Sequence, residues 1–382
     1  MKRSAEVVIV GGGISGLTIA YHLAKMGHTD VVVVERRYLG YGATGRCGGG
    51  IRQQWSTEEN IVLARESVRM WERLEEELGY PIYYRQGGYL VTATTEEEVR
   101  DIKRNIKLQN SLGVPSRWME ADEIKEEWPW INTDFVIGGS FCPTDGKVMP
   151  PRVVWAYARK LREMGVRIYD FTEVRGVKVE EGKIRGVITD KGEIETGILV
   201  NAAGAWSREI ARMVGVELPN TPYRHEIAVT EPLKYFLEPM VINFRYGIYF
   251  TQTWPRTEIV GGIGNPEEKP GYNMRASPGF LNMYTKVLIR FMPCLRHVKI
   301  ERQWAGLYDV TPDARPILGD VDGYDRFIQA HGYSGHGLMI SPMVGKLIAE
   351  LIVDGKTSLP IDSLNLRRFE EGKVIREANV VG

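Results

Sequence analysis

Residues 7–27 read VVIVGGGISGLTIAYHLAKMG. An apolar strand, Glu6–Val10, runs into three glycines; a helix over Leu17–Met26 follows, and a second strand over Val31–Glu35 completes a βαβ unit. Gly11, Gly13 and Gly16 are spaced G-x-G-x-x-G, with Ile14 and Ser15 between them. The first glycine permits the turn, the second lets a pyrophosphate approach the helix N-terminus, and the third lets the helix pack on the strand. Glu35 follows Gly16 by 19 residues, where a carboxylate can accept hydrogen bonds from ribose hydroxyls. This stretch sets the fold class as α/β, with a Rossmann-like dinucleotide-binding domain. Arg36 could serve a 2′-phosphate, but beside Glu35 it is expected to stack or face solvent.

The whole chain fits that beginning. At 382 residues it exceeds one ordinary core, and its 49 basic and 49 acidic side chains cancel, which argues against nucleic acid or an anionic membrane as a partner. Cys47, Cys142 and Cys294 are far apart, with neither a disulfide nor a metal-binding spacing, so a reducing, cytoplasmic setting and no metal are expected. The opening apolar run reads as a first strand rather than a cleaved signal, and nothing approaches the roughly 18 apolar residues of a membrane span.

Beyond the βαβ unit, a helix near Ser56–Leu78 begins at the capping pattern STEE. Residues 82–94, IYYRQGGYLVTAT, alternate like strands around a Gly-Gly turn, and a capped helix follows from Thr95. After a helix over Val153–Met164, short strands return to the nucleotide domain. From about Pro219 to Ile300, aromatic and β-branched runs indicate an antiparallel sheet. The expected organisation is two interleaved domains. Residues 1–82, 146–218 and 301–382 would form the dinucleotide domain, and 83–145 and 219–300 an α+β substrate domain.

Three further stretches point to a long cofactor laid against bare backbone. Residues 41–54, YGATGRCGGGIRQQ, place a glycine run where a nicotinamide enzyme would move towards a third parallel strand. Residues 200–207, VNAAGAWS, end a strand in Ala-Gly, and residues 331–345, HGYSGHGLMISPMVG, put glycines before a helix whose N-terminus could face a reduced flavin.

With VVVVERRYLGYGATGRCGGGIR and WAGLYDVTPDARPILG, these motifs resemble the D-amino-acid oxidase and sarcosine oxidase family of FAD enzymes nearly end to end. The chain is most similar to the β subunits of heteromeric sarcosine oxidases and dye-linked L-proline dehydrogenases. The resemblance implies FAD, an antiparallel substrate domain, and oxidation of an amino acid by hydride loss to flavin N5. It further implies partner subunits, an α subunit among them, and a possible FMN at a subunit interface. By the same resemblance Gly11, Gly13 and Gly16, with Ile14 and Ser15, would face the pyrophosphate, and Glu35 the ribose, with Arg36 beside it. Ala43, Thr44, Arg46, Cys47, Gly48 and Gly49 would line the flavin and its phosphates. Val174 would meet adenine, while Ala203, Gly204 and Trp206 lie along the cofactor. Leu307, Tyr308, Gly335, His336, Gly337, Leu338 and Met339 would close around the isoalloxazine.

Departures from the family pattern sharpen the expectation. Gly306 stands where some relatives tether FAD through cysteine, and Tyr308 where others hold the substrate carboxylate with arginine. Residues 257–264, TEIVGGIG, lack the lysine that promotes oxygen reactivity. Met149 and Pro150 stand where a histidine would bind FMN covalently. Non-covalent flavins and a dehydrogenase are therefore expected. Arg52, whose fork matches a carboxylate, is the expected substrate anchor, while Arg46 should serve the cofactor. His225 is the expected proton acceptor or pocket wall, and Tyr249 should close the pocket or bond the carboxylate. L-proline is the leading substrate and sarcosine the runner-up. A peroxide-forming oxidase of glycine-like amines and a non-catalytic flavoprotein scaffold are the rivals.

Overall fold

A computed structural model describes residues 1–380. Strands Val7–Val10 and Val31–Val34 run parallel with Val7 opposite Val31, and all eight residues are buried. Burial on both faces is what a parallel sheet covered by other layers requires. The full sheet has six strands in the order Ile317–Asp320, Phe327–His331, Ile198–Asn201, Val7–Val10, Val31–Val34, Arg167–Tyr169. Only the edge pair Ile317–Asp320 and Phe327–His331 is antiparallel.

Alternate residues of the central strands separate two cores. Val7, Ile9, Val31 and Val33 pack towards helices α1 (Ile14–Lys25), α2 (Glu58–Leu78), α3 (Pro150–Glu163) and α4 (Gly337–Asp354). Val8, Val10, Val32 and Val34 pack against a three-stranded antiparallel sheet formed by residues 174–180, 183–189 and 192–195. Helix α1 starts at Ile14, three residues before the expected Leu17, so Gly16 lies in its first turn rather than ahead of it.

The start of α2 differs from the expected capping box. Thr57 is the N-cap residue, but its hydroxyl donates to Glu377 at 2.7 Å instead of accepting from the helix. The Glu377 carboxylate accepts from the backbone N–H of Ser56 at 2.9 Å and of Thr57 at 3.1 Å. A carboxylate is a stronger acceptor than a hydroxyl at the positive end of a helix, and Glu59 is drawn away to Arg315 at 3.0 Å.

The second large sheet has eight strands in the order 300–310, 221–232, 258–263, 248–252, 240–243, 89–93, 138–142, 117–120. It is antiparallel except where Met240–Asn243 runs beside Tyr89–Ala93. The expected hairpin around Gly87-Gly88 does not form. Arg85–Gln86 pairs with Gly146–Lys147 while Tyr89–Ala93 joins the large sheet. Both glycine N–H groups bond the Asp145 carbonyl, so the turn crosses between sheets.

Strand Ile300–Val310 pairs with Thr221–Pro232, His225 opposite Gly306, so the boundary expected at 300/301 falls at the start of this strand. It carries Leu307 and Tyr308 from the large sheet to the cavity wall described below. Among the described residues, no helix is long and apolar enough to cross a membrane.

Candidate active site

Two cavities share a wall. The larger, about 410 Å³, runs from the glycine turn to the large sheet. At its first end Gly11 has φ +117°, and a Cβ there would sit 2.3 Å from the Ala202 carbonyl oxygen. A Cβ on Gly16 would meet the Gly11 oxygen at 2.0 Å. Gly16 does not line either cavity; it lets α1 close on the strand end. Gly13, Ile14 and Ser15 present the first turn of α1 to the cavity. That turn carries no acidic residue and no side-chain cap from Gly13, so its positive end remains available to an anion. Thr44 Oγ1 satisfies one of its groups, accepting from Ile14 N at 3.0 Å.

Glu35 reaches this end from its strand, and its two oxygens accept from Gly12 N at 2.9 Å and Arg37 N at 2.8 Å. Burial raises its pKa while those N–H bonds oppose the rise. The Arg36 guanidinium lies 4.1 Å over the Trp206 ring. Val174, Ala203, Gly204 and Trp206 continue the wall, and Arg46 ties the loop to strand Ile300–Val310 through Tyr41 O at 2.8 Å and Ala305 O at 3.0 Å. Ala43, Thr44, Cys47, Leu307, Tyr308, Gly335, Gly337 and Leu338 complete the far end with His225 and Tyr249.

His225 is held between two phenols: its ring centroid lies 4.4 Å from Tyr308 and 5.6 Å from Tyr249, nearly parallel to both. Its Nε2 is buried without a hydrogen-bond partner among the described residues. Burial lowers its pKa to about 4, so the imidazole is neutral at neutral pH.

The smaller cavity, about 70 Å³, shares Cys47, Tyr249, Tyr308, Ser334, Gly335 and Leu338 with the first. Gly48, Gly49, Arg52, His336 and Met339 line only this one, as do Trp55, Tyr89, Met240, Ile242 and Val380. The glycine run therefore has several causes. Gly49, at φ +77°, would drive a Cβ to 2.1 Å from Val148 O, and a Cβ on Gly50 would overlap the Tyr89 hydroxyl. Those two glycines are required by the protein's own packing. A Cβ on Gly48 would come within 3.2 Å of the Tyr249 ring, at the wall common to both cavities.

Arg52 is buried and stacks 3.8 Å over Trp55. It donates from Nη1 to Gln54 O at 2.7 Å and from Nη2 to Asn379 O at 2.6 Å, while Nε has no partner among the described residues. His336 packs its ring 4.6 Å from Trp55, with both nitrogens unpartnered among the described residues. Burial brings its pKa down to about 4, Glu377 opposing and Arg52 adding to the fall. Behind the wall, wholly buried Asp145 accepts from Gln53 N at 2.8 Å and Gln54 Nε2 at 3.0 Å. Burial lifts its carboxyl to about 6. Burial also pushes the Cys47 thiol up to about 11, which leaves it unreactive at neutral pH.

Tyr89, Asp145, Glu377, Asn379 and Val380 belong to this neighbourhood and carry no motif that marks them in the sequence. Among the described residues, no lysine lines either cavity.

A Rossmann-type glycine turn, a long cavity and a small side-chain-lined chamber at its sheet end are the framework of a dinucleotide-binding protein with a second site beside the first. The chain belongs to the DAO family, described as FAD dependent oxidoreductase, whose pattern matches residues 6–351. It is 32% identical to sarcosine oxidase subunit beta of Rhodobacter capsulatus, over 100% of this chain and 92% of that protein. The structure superposes on L-proline dehydrogenase from P. horikoshii with TM-score 0.94 and 42% identity, covering 98% of this chain and 100% of that one. Glycine oxidase from Geobacillus kaustophilus gives TM-score 0.89 and 26% identity, over 96% and 99%. The protein is thus an FAD-dependent oxidoreductase of the amino-acid-oxidising kind. The cavity fits the cofactor on the chain's own geometry, since it runs from the first turn of α1, which carries no acidic residue, past Glu35 to the large sheet.

Proposed function

We propose that the chain is the catalytic β subunit of an FAD-dependent L-proline dehydrogenase, yielding pyrroline-5-carboxylate. The observation that carries this reading is Arg52, a buried guanidinium on the wall of a small apolar chamber that shares Cys47, Tyr249 and Tyr308 with the FAD-sized cavity. The 42% identity to an L-proline dehydrogenase structure supports the choice of substrate.

Gly11, Gly13, Ile14 and Ser15 would hold the pyrophosphate, Glu35 the ribose with Arg36 stacked beside it, and Val174 the adenine. Ala203, Gly204 and Trp206 would lie along the cofactor. Ala43, Thr44, Arg46, Cys47, Gly48, Gly49, Leu307, Tyr308, Gly335, His336, Gly337, Leu338 and Met339 would surround the ring end. FAD bound there, non-covalently, supplies the two-electron acceptor. Arg52 takes the substrate carboxylate on its Nε–Nη2 edge. Tyr249 closes the chamber, and His225, neutral at neutral pH, stands on the wall of the larger cavity beyond Tyr249 and Tyr308, as pocket wall or proton acceptor. Desolvation and the nearby guanidinium charge both favour the neutral amine, whose lone pair assists loss of hydride from the ring carbon Cδ beside the nitrogen, the carbon that carries the C=N bond of pyrroline-5-carboxylate. The absence of lysine from both linings, among the described residues, supports a dehydrogenase over an oxidase.

The similarity to a sarcosine oxidase β subunit supports assembly with an α subunit or other chains, with FMN held non-covalently at an interface. The three free cysteines fit a cytoplasmic setting. Sarcosine or glycine-type oxidation with peroxide release is the second reading, favoured by the sarcosine oxidase and glycine oxidase similarities. Anaerobic titration of the FAD-loaded protein separates them. Bleaching by proline and not by sarcosine supports the first reading; the reverse, or stoichiometric peroxide in air, supports the second.

A further inference from the structure

We infer that the segment Glu377–Val380 determines specificity, posing Arg52 and walling the small cavity so that it accepts amino acids with small, uncharged, apolar or cyclic side chains. The inference rests on the reading of that cavity as the substrate site.

The segment is anchored rather than draped. Glu377 is fully buried, and its carboxylate accepts from Thr57 Oγ1 at 2.7 Å and Asn60 Nδ2 at 3.1 Å as well as from the backbone at the start of α2. Its own N–H donates to Asp313 O at 2.9 Å. Asp313 in turn is held by buried Arg368 at 2.8 and 3.0 Å. Two residues on, the Asn379 carbonyl accepts from Arg52 Nη2 at 2.6 Å. The Asn379 side-chain amide donates at 3.3 Å to Gln54 O, the same carbonyl that accepts from Arg52 Nη1.

Arg52 is therefore clamped by two carbonyls and by the Trp55 face, in a pose that commits one edge to the protein. What remains is Nε, buried and unpartnered among the described residues, with the second proton of Nη2 beside it. That edge matches the two oxygens of one carboxylate. Val380 lies on the cavity wall with Met240, Ile242 and Leu338. Among the described residues, no carboxylate and no second guanidinium or lysine lines the cavity. A charged substrate side chain would be buried there without a partner, which is strongly unfavourable. Acidic and basic amino acids are excluded on that ground, and the bulk at position 380 sets the size limit.

The test uses the full, FAD-loaded chain and two carboxylates that cannot be oxidised, acetate and tetrahydro-2-furoate, with binding followed by perturbation of the flavin absorption. Val380→Trp should weaken tetrahydro-2-furoate at least tenfold and acetate less than twofold, with FAD content unchanged. Val380→Ala, the milder variant, should shift relative kcat/KM at least fivefold towards larger apolar amino acids over proline. If both Val380 variants stay within twofold of wild type while Arg52→Ala weakens both carboxylates, the inference is overturned and the site stands. If Arg52→Ala leaves both affinities unchanged, the reading of the cavity as the substrate site fails instead.

Discussion

The two cavities are built from different materials. The large one begins on backbone, with Gly11 without room for a Cβ, the first turn of α1 without an acidic residue, and the ends of parallel strands. The small one is made of side chains gathered from distant segments, with Arg52, Tyr89, Met240, Tyr249, His336 and Val380 on its wall. Backbone geometry suits a cofactor that is the same throughout a family, whereas side chains can be exchanged one at a time to suit a substrate. Damage to the first should therefore abolish FAD binding, and damage to the second should leave FAD in place and change what is oxidised.

The largest effect is expected at the glycine turn. In Gly16→Ala the new methyl meets the Gly11 carbonyl oxygen at 2.0 Å, a backbone atom and not the yielding end of a side chain. The protein should purify with less than a tenth of its FAD, read from the ratio of flavin to protein absorption; full occupancy would break the contrast. Next comes Arg52→Ala, which removes a charge-assisted pair valued at about 1.5–3 kcal/mol. KM for proline should rise roughly ten- to a hundredfold with FAD content unchanged, since 1.4 kcal/mol is tenfold.

Glu377→Gln should cost about 1–2 kcal/mol through loss of a charged cap at the start of α2, observable as a lower unfolding midpoint. An unchanged midpoint would show that the tail carboxylate is not the cap described here. The smallest effect concerns acid. His22, His225 and His336 have pKa values lowered to about 4 by burial, from 6.5. Between those values the unfolded chain binds protons that the folded chain does not, so their contribution is complete above pH 6.5 and lost as pH falls towards 4. Asp145 acts in reverse, its carboxyl raised from 3.8 to about 6, with a contribution present below 3.8 and lost as pH rises through 6. Glu35 and Asp320, also raised by burial, act in the same sense as Asp145, and the three histidines outweigh these carboxyls between pH 7 and pH 5. Denaturant midpoints should fall from pH 7 to pH 5, and more steeply in Asp145→Asn; a rise on acidification would contradict the neutral buried imidazoles.

How much of this was legible in sequence follows from the same contrast. The glycine turn, Glu35 and the valine strands are local, with spacing fixed by one βαβ unit, so sequence placed them within a few residues. The eight-stranded sheet is legible only in part. Strands 89–93, 117–120 and 138–142 lie within the expected substrate segment 83–145 but carry no signal that they join the sheet of 219–300. Strand 300–310 comes from the segment expected in the dinucleotide domain, and one pair is parallel. In the small cavity, Arg52 was singled out by its guanidinium next to a glycine run. The glycines themselves have reasons that sequence could not supply, because Val148 O and the Tyr89 hydroxyl approach them only in the folded chain. Glu377, Asn379 and Val380 lie more than 300 residues from Arg52 and bear no local pattern. The STEE capping box at α2 misled for the same reason, since a better acceptor arrives from Glu377.

The central claim is that an amino acid anchored through its carboxylate by Arg52 in the small cavity delivers a hydride, from the carbon beside its amine, to FAD in the large one. The most direct measurement is anaerobic reduction of the FAD-loaded chain by L-proline, followed at the flavin band for wild type and Arg52→Ala at equal FAD content. The account requires near-complete bleaching of wild type, and half-reduction of the variant only at tenfold or higher proline. Equal bleaching of both at equal proline, or no bleaching of wild type, would contradict it.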